Sequence, residues 1–121
     1  MNIPRILVVD DEPSILEFIK ANLEARGYQV FEAANGQAAI RTAEKEKPNL
    51  LILDIVMPEM DGFEVCRKIR EWSKVPIIML SAREGENDRE KCTACGANDY
   101  LTKPFVLREL LDMVKTMLKQ E

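Results

Sequence analysis

Histidine is absent from this 121-residue chain. Ser-His and Cys-His catalysis are therefore excluded within it, and it cannot carry a phosphohistidine of its own. The three cysteines, Cys66, Cys92 and Cys95, are an odd number and form no disulfide framework. Cys92-Thr93-Ala94-Cys95 has C-x-x-C spacing, but no second pair and no histidine exist to complete a zinc site. We read these cysteines as small apolar residues one helical turn apart. No apolar run approaches the roughly 20 residues of a membrane span, and the N-terminus lacks the layout of a secretory signal. A cytoplasmic location without membrane contact is the expectation. Lys and Arg number 17 against 21 Asp and Glu, a formal charge of −4. No basic block exists to follow a nucleic-acid backbone, so no direct nucleic acid binding by this segment is expected.

What is present is a hydrophobic fraction of 46%, enough for one domain with its own core. Repeats, linkers and low-complexity stretches are missing. Four short apolar runs each end on a polar residue of a particular kind. Arg5–Val9 runs into Asp10-Asp11, Leu50–Leu53 into Asp54, Pro76–Leu80 into Ser81, and Tyr100–Thr102 into Lys103-Pro104.

Strand and helix signals alternate five times along the chain. The expected strands are Arg5–Val9, Tyr28–Phe31, Leu50–Leu53, Val75–Leu80 and Tyr100–Thr102. After the first, Pro13 opens a helix with Ile15, Leu16, Ile19 and Leu23 on one face, and Gly27 stands at its C′ position. Asn35-Gly36 opens a second helix with Ala38, Ala39, Ile40 and Ala43, which Lys47-Pro48-Asn49 closes. Asp61, with glutamate three residues on, caps a third helix whose inner face is Phe63, Val65, Cys66 and Ile69. The fourth, Glu86–Cys95, is polar and weakly marked, with Gly96 ending it. The last carries Leu107, Leu110, Leu111, Val114 and Leu118 at helical spacing. Near-continuous apolar strands alternating with helices imply a doubly wound α/β fold: a parallel sheet covered on both faces. In such folds ligands sit beyond the carboxyl ends of the strands, where the four runs deliver their polar residues.

Asp10, Asp11 and Asp54 would repel one another if they converge there. At an effective dielectric near 20, two unit charges 4 Å apart cost about 4 kcal/mol, so a cation is implied. Carboxylate oxygens are hard ligands, and few protein ligands plus a phosphoryl oxygen suit Mg²⁺. The competing reading of Asp10 or Asp11 is a helix N-cap ahead of Pro13, which explains one acid but not the set. Asp54, tipping a buried strand, is placed to attack phosphorus and form an acyl phosphate. Ser81 can donate to the phosphoryl oxygens and Lys103 can neutralise them.

Together these motifs resemble the receiver domain of two-component response regulators, from Arg5 to about Lys119. The likeness lies in Ile6–Glu12, Asp54–Gly62, Leu80-Ser81-Ala82 and Lys103-Pro104-Phe105. It implies a flavodoxin-like (βα)5 fold with strand order 2-1-3-4-5, one receiver domain over residues 1–121 and no output domain within it. Asp54 would be the phosphoacceptor for a sensor histidine kinase. Asp11 would bind Mg²⁺ directly, Asp10 largely through water, and the Val56 carbonyl would add a ligand. Ser81 and Tyr100 would switch with phosphorylation, and a cis peptide before Pro104 would hold Lys103. The domain would be a phosphoacceptor that assists its own phosphorylation and dephosphorylation, not an enzyme on a free substrate. Ala97–Phe105 and Arg108–Leu111 resemble the receivers of winged-helix transcription regulators, which dimerise through helix 4, strand 5 and helix 5. Lys91, Asp99 and Glu109 match that interface; Met113 stands where an arginine is usual, and Asn98 where an aspartate is. Val106, Met113 and Met117 form either a second apolar edge for a homodimer or a broader buried face.

Two other activities fit less well. A phosphatase of the haloacid-dehalogenase kind needs an acid two residues after its nucleophile, where this chain has Val56. A flavin module must cradle a phosphate in its first loop, which Asp10-Asp11-Glu12 would repel.

Overall fold

The computed structural model describes residues 3–82 and 86–119. Its elements follow in the order β1 (Arg5–Val9), α1 (Pro13–Glu24), β2 (Gln29–Ala33), α2 (Gly36–Glu46), β3 (Leu50–Asp54), α3 (Gly62–Arg70), β4 (Ile77–Ser81), α4 (Glu86–Cys95), β5 (Asp99–Thr102) and α5 (Leu107–Lys119). The five strands form one parallel sheet in the order β2-β1-β3-β4-β5. This is the expected doubly wound fold. Strand order reverses between β1 and β3, so the crevice for a ligand opens where Asp10 follows β1 and Asp54 ends β3.

The side-chain period of two along each strand divides the core. Leu7, Val9, Leu51, Leu53, Ile77 and Met79 face the layer of α2, α3 and α4. Ile6, Val8, Leu50, Ile52, Ile78 and Leu80 face α1 and α5. Central strands β3 and β4 are buried throughout, whereas β2 and β5 are half-exposed edges. Among the described residues, helix α4 contributes only Cys92 and Cys95 to the buried core. Those thiols and Cys66 are free and buried, Cys66 Sγ lying 3.2 Å from the Cys95 carbonyl oxygen and Cys95 Sγ 3.2 Å from that of Cys92. They behave as core residues, and burial pushes the Cys92 thiol up to about 12.

Local signals set the helix ends. Asn35 and Asp61 cap α2 and α3 by accepting from the amides of Ala38 and Glu64 at 2.8 and 2.9 Å. Gly27 (φ +93) follows α1 with its amide bonded to the Glu24 carbonyl and that of Tyr28 to the Leu23 carbonyl. These are the two bonds of a Schellman end. They also engage the Tyr28 amide, so β2 begins at Gln29 rather than at Tyr28. It runs on to Ala33, which pairs with Val9. Gly96 (φ +97) ends α4 in the same way, Ala97 bonding to Cys92 and Gly96 to Thr93. β4 begins at Ile77, not Val75, because Pro76 has no amide hydrogen to offer a ladder.

Candidate phosphoacceptor site

Each polar residue that ends an apolar run falls at the carboxyl edge of the sheet. Asp54 is the last residue of β3, paired with Leu80, and Ser81 is the last of β4, paired with Thr102. Asp10 is fully buried and Asp54 only 3% exposed, while Asp11 is open to solvent. One carboxylate oxygen from each of Asp10, Asp11 and Asp54 lies within 4.8 Å of the others. The N-cap position of α1 is Glu12, which makes no side-chain cap bond. Instead Asp10 Oδ1 accepts from the Glu12 amide at 2.9 Å. Neither aspartate is an N-cap.

Lys103 reaches this cluster from the far end of the chain. Its Nζ donates to Asp10 Oδ2 at 2.9 Å and lies 3.3 Å from Asp54 Oδ1 and 3.7 Å from Glu12 Oε1. The cation that the acid cluster demands is thus supplied in part by the protein. One ammonium still faces four carboxylates, so the set of hard oxygen donors remains suited to a divalent ion. Asp54 is pushed up to about 6, chiefly by burial and then by the Asp10 charge, against the opposing pull of Lys103 and a hydrogen bond from the Val56 backbone. Burial would lower the Lys103 ammonium, but its hydrogen bond to Asp10 and the charges of Asp54 and Asp10 outweigh it, and the net shift is upward. The Lys103–Pro104 peptide is cis, as the resemblance implies.

A cavity of about 670 Å³ opens over Asp54, Asp11 and Lys103, with Val56, Phe18 and Phe105 among its walls. The loop carrying Val56 turns back at Glu59 (φ +72), where Met60 N–H bonds to the Pro58 carbonyl at 2.8 Å. The turn brings Gly62 N–H to the Ile55 carbonyl at 2.8 Å, one residue past the end of β3.

The structure separates the other sequence-predicted residues. The Ser81 hydroxyl is fully buried and donates to Asp88 Oδ2 on α4 at 2.7 Å. Tyr100, half-buried, accepts from Arg89 Nε at 3.1 Å. Lys91 lies over the Phe63 ring, 5.7 Å from its centroid. Exposed Asp99 accepts from the Tyr100 amide at 2.8 Å. Glu109 is exposed and shares a cavity with Arg89 and Tyr100. Met113 and Met117 pack half-buried against the α1–α5 core, so they broaden the buried face; Val106 alone of that trio is strongly exposed, at 59%.

Asp88, Arg89 and Arg70 were not foreseen. Arg70 donates to the Gly96 carbonyl at 2.9 Å, to Asn98 Oδ1 at 2.9 Å and to the Ser73 carbonyl at 3.2 Å. Asn98 Oδ1 also accepts from the Ile77 amide at 2.8 Å. No local pattern announces such contacts, because they depend on how α4 docks.

The family model for the response regulator receiver domain matches residues 6–115. The chain belongs to that family. This receiver domain is 45% identical over 117 residues to the alkaline phosphatase synthesis transcriptional regulatory protein PhoP of Bacillus subtilis, covering 96% of this chain and 49% of the relative. To the transcriptional regulatory protein KdpE of Mycobacterium tuberculosis it is 41% identical, covering 95% of this chain and 51% of the relative. It therefore spans about half the length of these curated relatives. A CheY-like response regulator receiver domain protein from Methanospirillum hungatei superposes with a TM-score of 0.93 at 32% identity, covering 98% of this chain and 96% of that one. Among the described residues, no helix is long and apolar enough to cross a membrane.

Proposed function

We propose that this receiver domain accepts a phosphoryl group on Asp54 from the phosphohistidine of a sensor histidine kinase, in the cytoplasm. The observation that carries the reading is Asp54 itself: a buried carboxylate at the switch point, 3.3 Å from the Lys103 ammonium and close to two further acids. In the transfer, an Asp54 oxygen attacks phosphorus as the P–N bond breaks. The imidazole nitrogen keeps that electron pair and takes a proton, leaving an acyl phosphate on Asp54. Lys103 offsets charge on the phosphoryl oxygens, and Ser81, turned from Asp88, donates to one of them. Asp11 and Asp54 directly, Asp10 through water and the Val56 carbonyl would hold Mg²⁺. When bound, the ion neutralises charge on the phosphoryl oxygens. Hydrolysis reverses the state when water attacks the same phosphorus, so the domain assists its own phosphorylation and dephosphorylation without turning over a free substrate.

The names of PhoP and KdpE, with the half-length match, support a DNA-binding output domain outside these residues. The α4–β5–α5 face would report phosphorylation to it, and two copies would pair through that face, with Asp99, Glu109, Lys91 and Met113 as candidate contacts. A single-domain regulator acting through partner affinity alone is the second reading. Incubation with a phosphohistidine donor and Mg²⁺ should add one phosphoryl mass, and Asp54→Asn should abolish it. Uptake by Asp54→Asn at the wild-type rate would refute the assignment. Sedimentation with and without a phosphate mimic tests the dimer, with Val106→Glu as the clean surface change, since Met113→Glu would also disturb the core.

A further inference from the structure

Two adjacent residues of α4 hold the two side chains implicated in switching. The Ser81 hydroxyl donates to Asp88 at 2.7 Å. Arg89 bonds the Tyr100 hydroxyl at 3.1 Å, and its guanidinium carbon stands 5.0 Å from the centre of that ring.

The main chain of Ser81 is pinned. Its carbonyl accepts from the Lys103 amide at 2.6 Å, and its residue pairs with Thr102 in the ladder. The hydroxyl can therefore approach Asp54 only by rotating about χ1. A serine hydroxyl has one proton to donate, so while Asp88 accepts it, a phosphoryl oxygen cannot. The bond to Asp88 has the length of a charge-assisted contact, roughly twice as strong as a neutral one.

Among the described residues, helix α4 places no apolar side chain of its first half in the core. Its buried side chains, Cys92 and Cys95, lie in the second half, whereas Asp88 is half-buried and Arg89, Glu90 and Lys91 are exposed. Segments with few buried apolar contacts open at low cost.

The geometry points to Asp88 as a positioning residue that holds the unphosphorylated state by engaging Ser81. A phosphoryl group on Asp54 takes the Ser81 proton donor from Asp88, which frees the first half of α4 and loosens the Arg89–Tyr100 contact. This rests on Asp54 as phosphoacceptor and names the group against which the phosphoryl oxygen competes. A purely structural acid near the helix start would instead contribute to stability regardless of what stands at position 81.

The test combines Asp88→Ala, Ser81→Ala and the double variant. Phosphorylation by acetyl phosphate with Mg²⁺ is followed by mass, and amide NMR shifts are recorded on the unphosphorylated proteins. Asp88→Ala should raise the initial rate about tenfold, the low end of what one hydrogen bond to a charged group contributes net of its exchange with water. Its resting amide shifts in α4 and β5 should move toward those of the phosphorylated wild type. With Ser81→Ala already present, Asp88→Ala should leave the rate and the Tyr100 shift nearly unchanged. Asp88→Asn, which keeps an acceptor, should fall between, and it serves if the alanine variant unravels α4. A rate at or below wild type in Asp88→Ala, or the same change in both backgrounds, overturns the proposal. If the wild type gains no phosphoryl mass, the phosphoacceptor reading fails instead. The resting shifts then decide the Ser81–Asp88 coupling on their own: a Tyr100 shift change that requires Ser81 upholds it, and one independent of Ser81 overturns it.

Discussion

Gly62 packs against the main chain of Asp54 so closely that no side chain fits between them. A Cβ at Gly62 would overlap the Asp54 carbonyl oxygen and lie 2.8 Å from Ile55 Cα. Both obstacles are backbone, one at the end of a strand buried throughout and the other in the buried residue that follows it, so neither can yield cheaply. Gly62→Ala should cost about 1–3 kcal/mol, the range for overpacking. It should also slow phosphorylation, because the strand end that presents Asp54 must shift. Denaturant melts paired with the acetyl phosphate rate check this; a stable variant with an unchanged rate would show that α3 can move aside.

Asp54 makes the metal-free protein sensitive to pH. Its carboxyl is raised from 3.8 to about 6, so the folded state holds this proton more tightly than the unfolded chain does. The associated stability is fully present below about pH 4 and is lost as pH rises through about 6. The shift corresponds to something on the order of 3 kcal/mol. Asp54→Asn should therefore raise the melting temperature of the metal-free protein at pH 7.5 and change it little at pH 4. A gain of equal size at both values would dispose of this explanation. Phosphorylation runs with Mg²⁺ on the same carboxylate, and the ion favours its ionised form, so the rate should hold to a lower pH than this metal-free transition.

Lys103→Met keeps the length of the side chain and removes its charge, leaving Asp10 and Asp54 without a cation. Breaking a buried pair from one side costs about 3–5 kcal/mol, and a loss of that order is expected in metal-free buffer. Millimolar Mg²⁺ should recover part of it, giving a larger rise in melting temperature than in wild type. For the wild type the gain follows mass action, about 2.7 kcal/mol at a hundredfold excess over the dissociation constant. Asp11→Ala, at the exposed acid of the cluster, should remove most of that rise. Thermal melts with and without Mg²⁺ compare all three proteins.

Asn98 joins Arg70 on α3 to the Ile77 amide at the start of β4 through a single oxygen. Asn98→Asp keeps both bonds and adds charge to the one from Arg70, so it should be neutral or mildly stabilising. Asn98→Leu leaves both donors without that acceptor and should cost about 1–3 kcal/mol. Equal melting temperatures for the two variants would mean that solvent replaces the oxygen without loss.

Much of this was legible without coordinates, for reasons specific to each element. The runs Arg5–Val9 and Leu50–Leu53 are apolar on both faces because helices cover both, and that same fact makes the polar residue ending each run conspicuous. Caps and glycines marked most helix ends, since Asn35, Asp61, Gly27 and Gly96 act through bonds to near neighbours in sequence. The strand limits at Tyr28 and Val75 shifted where a helix-end bond or a proline competed with the ladder.

The sequence by itself determined the layer order, the five polar groups of the site and the family, because strand periodicity and strand-end chemistry are properties of short segments. Tertiary structure alone decided what those groups touch. Lys103 stands 93 residues from Asp10 along the chain yet donates to it at 2.9 Å. Ser81 donates to Asp88, Lys91 lies over Phe63, and Arg89 binds Tyr100. Met113 and Met117 pack inward, where the sequence left two choices open. All but the Lys103 bond depend on how α4 and α5 lie against the sheet, and helix docking is set by packing between distant segments, which no local pattern of residues encodes.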